Sequence, residues 1–129
     1  MKPMAKILFI DDDVQTLELM ARSAKILGHE AILCPSSDEA IQHVYLTQPD
    51  LVLVDINMQD LSGFEIVQQI RNSEIVGATP VLVLSAGEPD IEGVKAIEAG
   101  ANGFLAKPLT IQNLENAIRK FSNHNHKPK

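Results

Sequence analysis

Short apolar runs alternate with amphipathic stretches along most of the chain. The runs are four to six residues long, rich in valine, isoleucine and leucine, and lie near 5–10, 30–34, 51–54, 80–84 and 103–106. Runs of this length and composition are typical of buried β-strands. The run over 51–54 has no polar position, which favours a central strand that is covered on both faces.

Most of the stretches between the runs carry apolar residues at the three- and four-residue spacing of helices. Gly28 supplies a stop for the first helix, and Thr110 is the expected N-cap of the fifth. The third has Ser62 or Asp60 as its candidate cap. The predicted apolar stripes are Val14, Leu17, Ala21 and Ala24 in the first helix, Val67 and Ile70 with Phe64 or Ile66 in the third, and Ile111, Leu114, Ile118 and Phe121 in the fifth.

The second and fourth helices complete a regular alternation. The second is expected to begin near Ser36, which has capping-box spacing with Glu39, and to end before Pro49. The fourth spans roughly 89–99 and stops at Gly100. Five strands alternating with five helices predict right-handed crossovers and a parallel sheet covered on both faces, which is a three-layer, doubly wound α/β fold.

Polar residues stand at the end of four of the predicted strands. Asp11 and Asp12 follow the first strand and Asp55 follows the third. Ser85 follows the fourth and Lys107 the fifth. Because ligands of open α/β sheets bind outside the carboxyl ends of the strands, these side chains are expected to converge on one crevice.

The expected crevice suits a metal ion and a phosphoryl group. Three carboxylates without a cation would repel one another, so a divalent ion, Mg²⁺ or Mn²⁺, is the simplest reason to assemble Asp11, Asp12 and Asp55. An aspartate carboxylate is also a nucleophile toward phosphorus. Lys107 and the Ser85 hydroxyl would neutralise charge on the phosphoryl oxygens.

Composition narrows the remaining possibilities. The chain of 129 residues is predicted to hold one domain over 1–121 and a flexible tail or linker start over 122–129, whose His124 and His126 are given no function. The net charge of -6 argues against direct nucleic-acid binding. No stretch has the length of a membrane span and no signal peptide is recognised, so a cytoplasmic location is expected. The single cysteine, Cys34, is expected to be a small buried hydrophobe.

The order of these motifs resembles the receiver domain of bacterial two-component response regulators, in the manner of the chemotaxis regulators, from about 6 to 121. The resemblance implies a (βα)5 flavodoxin-like fold with a five-stranded parallel sheet in the order 2-1-3-4-5. It is carried by Asp11-Asp12, Asp55-Ile56-Asn57-Met58, Gly63, Ser85-Ala86 and Lys107-Pro108.

The resemblance also implies a role for each acidic residue. Asp55 would be the phosphoacceptor, receiving its group from a sensor histidine kinase or a histidine phosphotransfer protein in a magnesium-dependent reaction. Asp12 and Asp55 would bind the metal with the backbone carbonyl of Asn57, and Asp11 would act mainly through metal-bound water. The domain would then be a signalling phosphoacceptor rather than an enzyme that turns over a separate substrate.

The remaining implied residues belong to the switch. Lys107 would contact the phosphoryl oxygens through a cis bond to Pro108. Ser85 and Phe104 would be the switch pair that changes the face formed by the fourth helix, fifth strand and fifth helix, over 88–121. That face would bind a downstream protein or a missing effector domain, with the chain a monomer or a phosphorylation-dependent dimer.

The sequence departs from the usual receiver pattern in three places. Gln59 replaces a common proline, which predicts a less rigid loop after the phosphorylation site. Gly87 offers no side chain near the phosphoryl group. Asn102-Gly103 replaces the acidic pair typical of the DNA-binding branch, which lowers the expectation of that branch's dimer.

Two alternative functions remain. The run Asp11 to Gln15 imitates the opening motif of haloacid-dehalogenase phosphatases, but it fails at Gln15, and no acidic motif follows Lys107. Asp13 is expected to be a helix N-terminal charge instead of a ligand. The second alternative is an adaptor that keeps the fold for docking without phosphorylation, against which the complete acidic site argues.

Overall fold

Five parallel strands build the central sheet of the computed structural model, which describes residues 4–122. They are β1 (Lys6–Ile10), β2 (Glu30–Cys34), β3 (Leu51–Asp55), β4 (Val81–Ser85) and β5 (Gly103–Ala106). The order across the sheet is β2-β1-β3-β4-β5, and each neighbouring pair is parallel. The predicted α/β class and strand order are therefore confirmed.

Helices cover both faces of this sheet. They are α1 (Val14–Ile26), α2 (Ala40–Thr47), α3 (Gly63–Arg71), α4 (Pro89–Ala99) and α5 (Ile111–Phe121). The buried residues of α1 and α5 share one apolar cluster, and those of α2, α3 and α4 share the other. Within 4–122, every helix is too short or too polar to cross a bilayer.

The core divides along the side-chain alternation of the strands. In β1, Leu8 and Ile10 belong to the cluster under α2, α3 and α4, whereas Ile7 and Phe9 belong to the cluster under α1 and α5. All residues of β3 and β4 are buried, and the edge strands β2 and β5 are only partly so. Cys34 is fully buried, as predicted, and burial raises the pKa of its thiol.

The buried stripes of two helices begin later than predicted. Val14 is 55% exposed and Ile111 is 41% exposed, so neither belongs to the core. Each is the first residue of its helix, and burial begins one turn further on. The stripe of α1 is Leu17, Met20 and Ala24, and that of α5 is Leu114, Ala117 and Ile118.

The capping box predicted at the second helix is found at the third. Ser36 makes no side-chain cap bond, and a short 3-10 turn intervenes before α2. The neighbouring Ser37 hydroxyl instead accepts a hydrogen bond from the Leu61 N–H at 3.0 Å. In α3 the Ser62 hydroxyl accepts from the Glu65 N–H, and the Glu65 carboxylate accepts from the Ser62 N–H.

The predicted tail over 122–129 lies outside the described residues except for its first position. Ser122 is buried at the end of α5, and its N–H donates to the carbonyl of Ile118 at 3.0 Å. His124 and His126 fall in the part of the chain that the structure does not describe.

Candidate functional site

Three carboxylates meet at the carboxyl edge of the sheet. Asp11 and Asp12 follow β1, and Asp55 is the last residue of the neighbouring strand β3. One oxygen of each lies within 4.8 Å of the others. Asp11 and Asp55 are 1% and 3% exposed, whereas Asp12 is exposed. The cluster is therefore held by the buried pair and opens to solvent beside Asp12.

Backbone groups fix the direction of two of these side chains. The Asp11 carboxylate accepts a hydrogen bond from the Asp13 N–H at 2.9 Å, within its own loop. The Asp12 carboxylate accepts from the Gln59 N–H at 3.2 Å, in the loop that follows β3. Asp12 thus joins two loops that are distant in sequence, and the Gln59 contact uses only the backbone.

Lys107 brings a positive charge into the cluster from the fifth strand. Its Nζ atom lies 2.9 Å from Oδ1 of Asp55 and 3.3 Å from Oδ2 of Asp11. The Lys107 N–H donates to the carbonyl of Ser85, which continues the pairing of β4 with β5 by one residue. The peptide bond from Lys107 to Pro108 is cis, as the resemblance implies.

The acid and the base of this ion pair both have shifted pKa values. Burial raises the pKa of Asp55, and the Asp11 charge adds to the rise, whereas hydrogen bonds from Lys107 and the Asn57 N–H oppose it. Burial alone would lower the pKa of Lys107, but its interactions with Asp55 and Asp11 outweigh burial and raise it. The two carboxylates therefore favour the charged form of Lys107, whereas burial disfavours the ionised form of Asp55.

The hydroxyl of Ser85 is engaged by the loop that follows β4 and by α4. Ser85 is fully buried at the end of β4. Its Oγ donates to Oε1 of Glu92 in α4 at 3.1 Å and accepts from the Gly87 N–H at 2.8 Å. Glu92 has no signal in the sequence pattern that would assign it to the site.

This arrangement has the donor set for a hard cation and a phosphoryl group. Carboxylate oxygens are the ligands that Mg²⁺ takes in proteins, usually one or two of them together with phosphate oxygens. A fixed ammonium beside an acidic cluster that opens to solvent on one side supplies charge for phosphoryl oxygens. The response regulator receiver domain family matches residues 7–119 of the chain. The chain belongs to this family.

Relatives and solved structures agree with this assignment. Response regulator MprA of Mycobacterium leprae is 33% identical over 114 residues, which is 88% of this chain and 49% of that protein. The chemotaxis protein CheY4 of Vibrio cholerae has a TM-score of 0.85 at 25% identity, covering 92% of this receiver domain and 99% of that chain. The receiver domain of sensor histidine kinase PA1611 from Pseudomonas aeruginosa, whose structure holds a magnesium ion in the active-site cleft, has a TM-score of 0.83 at 22% identity, covering 92% and 98%.

The receiver domain spans about half the length of the curated relatives that it matches. About half of MprA of M. leprae, for example, lies outside the region that matches this chain.

The structure brings four of the predicted site residues of this receiver domain together, whereas Ser85 and Phe104 contact or approach α4. Asp11, Asp12, Asp55 and Lys107 form one group, in which the Lys107 ammonium contacts two of the carboxylates directly. The side chain of Asn57 is exposed, and its N–H contacts Asp55, so the metal role of its carbonyl stays a prediction.

Phe104 lies beside α4 rather than in the carboxylate group. It is half-buried in β5 and packs against the cluster under α2, α3 and α4. A Cβ on Gly93 would lie 3.9 Å from the Cβ and Cγ of Phe104. The side chain of Phe104 therefore packs near α4 at the position of Gly93. Ser85 and Phe104 thus both contact or approach the same helix.

Asp13 has the structural role that was predicted for it. It is the residue before α1, is exposed, and accepts a hydrogen bond from the Thr16 hydroxyl in the first turn. This hydrogen bond lowers the pKa of Asp13. Asp13 lies outside the carboxylate group, although it follows Asp12 directly in sequence.

Proposed function

We propose that the receiver domain accepts a phosphoryl group on the carboxylate of Asp55 from a phosphohistidine of a sensor histidine kinase or a histidine phosphotransfer protein. Response regulators are phosphorylated by histidine kinases, which supports the class of donor. The observation that carries the proposal is the Asp11, Asp12 and Asp55 group, with one oxygen of each within 4.8 Å, beside the Lys107 ammonium.

The transfer needs little acid or base chemistry from the protein. A carboxylate oxygen of Asp55 forms a bond to phosphorus while the bond from phosphorus to the donor imidazole nitrogen breaks. The electron pair of that bond leaves with the imidazole, which takes up a proton. Catalysis then depends on positioning and on neutralising the equatorial oxygens.

A divalent cation, Mg²⁺ or Mn²⁺, fits the donor set of this site. Asp11, Asp12 and Asp55 offer hard oxygen ligands on an open side of the cleft, and we propose that the carbonyl of Asn57 completes the protein's share. When bound, the cation would neutralise charge on the phosphoryl oxygens. The magnesium in the cleft of the PA1611 receiver domain supports this assignment.

The chain's own residues would supply the remaining stabilisation. Lys107 already lies 2.9 Å from an Asp55 oxygen, so a phosphoryl group on that carboxylate would come within reach of its ammonium. Ser85, at the end of the neighbouring strand, would move inward and donate a hydrogen bond from its hydroxyl to a phosphoryl oxygen. This movement of Ser85 would vacate space for Phe104 and change the face over 88–121.

That face is the proposed output of the domain. A downstream protein, or an effector domain such as one in the unmatched half of the relatives, would bind there with different affinity before and after phosphorylation. We propose a monomer or a phosphorylation-dependent dimer, and no direct nucleic-acid contact by this segment, because its net charge is -6. The cytoplasmic location stays a prediction.

Acetyl phosphate with Mg²⁺ tests the phosphoacceptor. Intact-mass measurement should show one phosphoryl group per chain, absent in Asp55→Asn and present in the control Asp13→Asn. A chelator should prevent labelling. Multiple-turnover hydrolysis of a generic phosphate ester without labelling would favour the phosphatase alternative. A chain that neither takes label nor binds Mg²⁺ in calorimetry would favour the adaptor.

The proposed switch has a separate test that does not require the cognate partner. Beryllofluoride with Mg²⁺ mimics the phosphoryl group, and it should shift the amide NMR signals over 88–121. The Ser85→Ala variant should still be labelled at Asp55 but should lose those distant shifts. If the shifts over 88–121 persist in Ser85→Ala, the coupling through the hydroxyl is wrong.

A further inference from the structure

The hydrogen bond between Ser85 and Glu92 joins the end of a core strand to an outer helix. Ser85 is fully buried, and its hydroxyl accepts from the Gly87 N–H at 2.8 Å. A serine hydroxyl has one hydrogen to donate. In this structure that hydrogen points to Oε1 of Glu92 at 3.1 Å.

Gly87 leaves the space through which Glu92 reaches this hydroxyl. A Cβ on Gly87 would lie 3.0 Å from Cγ and 3.2 Å from Cδ of Glu92. It would also lie 3.2 Å from Oγ of Ser85. The missing side chain at Gly87 and the carboxylate of Glu92 therefore form one arrangement around the Ser85 hydroxyl.

The helix that carries Glu92 is held to the rest of the domain by few buried groups. Ala96 is the one buried residue of α4, whereas Ile91, Val94 and Ile97 are each 55% exposed. The cap residue Glu88 makes no side-chain cap bond. The hydrogen bond to the buried Ser85 adds to these few contacts in positioning the first turns of α4.

We propose that Glu92 is a positioning residue that holds the Ser85 hydroxyl away from the phosphoryl site in the unphosphorylated domain. The inference rests on the proposed function, in which Ser85 donates to the phosphoryl group. One hydroxyl hydrogen cannot serve both acceptors, so phosphorylation replaces the Glu92 bond and frees α4.

Removal of the hydrogen bond between Ser85 and Glu92 should favour the phosphorylated form. Glu92→Ala should raise the affinity for beryllofluoride with Mg²⁺ about two- to tenfold, the range that one hydrogen bond provides. Glu92→Gln keeps an acceptor oxygen for the hydroxyl and should stay near the wild type. Glu98→Ala, which removes an exposed carboxylate from the same helix, is the matched control and should leave the affinity unchanged.

A double-mutant cycle separates positioning from general charge repulsion. In the Ser85→Ala background, Glu92→Ala should change the affinity little, because no hydroxyl remains to be held. An equal gain with and without the hydroxyl would overturn the proposal, and so would an unchanged affinity in Glu92→Ala alone. If Glu92 only stabilised the helix, the cycle would show no coupling between the two substitutions in beryllofluoride affinity.

Amide hydrogen exchange in the unphosphorylated protein gives a readout that is independent of phosphoryl chemistry. Glu92→Ala should speed exchange in the first turns of α4, with Glu92→Gln restoring the wild-type rate. If wild type binds no beryllofluoride, the proposed function fails while this exchange result still decides whether the contact holds α4. Unchanged exchange in Glu92→Ala would refute the claim that the Ser85–Glu92 hydrogen bond holds the first turns of α4.

Discussion

Gly63 lies so close to Asp55 that a side chain at this position would meet the backbone of the strand end. A Cβ on Gly63 would be 2.6 Å from the carbonyl oxygen of Asp55 and 2.7 Å from Cα of Ile56. The Gly63 N–H also donates to the carbonyl of Ile56 at 3.2 Å. The start of α3 is thereby held against the backbone of the residue whose carboxylate is proposed to react.

Gly63→Ala should destabilise the domain, because neither partner in the contact is a flexible side chain. The backbone must shift, and a loss of about 1–3 kcal/mol in the free energy of unfolding is expected in urea denaturation. Gly93→Ala is the control, since its new Cβ would meet nothing closer than 3.9 Å in the middle of α4. That variant should gain about 0.5–1 kcal/mol. Equal effects of the two substitutions would show that close approach at Gly63 is not limiting.

Arg71 at the end of α3 binds the segments that precede β4 and β5. Its guanidinium donates to the carbonyls of Gly77, Thr79 and Gly100 at 3.1, 2.7 and 2.7 Å. It also donates to the side-chain carbonyl of Asn102 at 2.8 Å, and that oxygen accepts from the Val81 N–H as well. These acceptors come from separate loops, so one side chain holds their relative positions.

Arg71→Met keeps much of the apolar stem but removes every donor. Carbonyls left without partners lower the free energy of unfolding by about 1–3 kcal/mol, measured by urea denaturation. Arg119→Met is the matched control, because the interaction of Arg119 within residues 4–122 is an exposed ion pair with Glu115. Its effect should be about 0.5 kcal/mol or less. A loss at Arg71 no larger than that at Arg119 would contradict the bridging role.

Magnesium should stabilise the domain through Asp12 and not through Asp13. Ligands that bind only the folded state add about 2.7 kcal/mol at a concentration 100 times the dissociation constant. Thermal unfolding with increasing Mg²⁺ should show this rise in the wild type and in Asp13→Asn. Asp12→Asn, at the exposed corner of the cluster, should lose most of it. An equal response from both variants would place the metal elsewhere.

The sheet and the site were predictable because their signals are local. Each strand contains a short apolar run, and at four of the five strands the residue at or just after the end carries the chemistry, as Asp55 and Lys107 do. Parallel pairing then places all strand ends at one edge without any information on side-chain contacts. The Asp11, Asp12 and Asp55 group follows from topology alone.

The missed features depend on geometry between elements. Glu92 lies seven residues beyond Ser85 in a helix, and only the packing of α4 over Gly87 brings its carboxylate to the hydroxyl. Val14 has correct helical spacing but stands at the first position of α1, where it is 55% exposed. Periodicity gives the direction of a side chain and not whether another element covers it.

Ser62 caps its helix through its side chain, whereas Ser36 makes no side-chain cap bond. Ser62→Ala removes the side-chain half of the capping box in α3 and should lower the free energy of unfolding by about 0.5–2 kcal/mol. Ser36→Ala should have little effect, because its hydroxyl makes no cap bond. Chemical denaturation of both variants would measure the two losses in the free energy of unfolding. A larger loss in Ser36→Ala than in Ser62→Ala would show that Ser36 caps the second helix.

Asp55→Asn should stabilise the metal-free protein, and the gain should depend on pH. Because the pKa of Asp55 is raised on folding, mainly by burial, the unfolded chain binds fewer protons between the two pKa values, and stability falls as pH rises through that window. The window begins near the ordinary aspartate value of about 3.9. In urea denaturation with a chelator, the stability advantage of Asp55→Asn over the wild type should grow as pH rises from that value and then level off.

Asp13→Asn should show the opposite dependence of stability on pH. The Thr16 hydroxyl lowers the pKa of Asp13, so the ionised form of Asp13 adds stability that is lost as pH falls. The same pH trend in both variants would show that burial does not set the properties of Asp55.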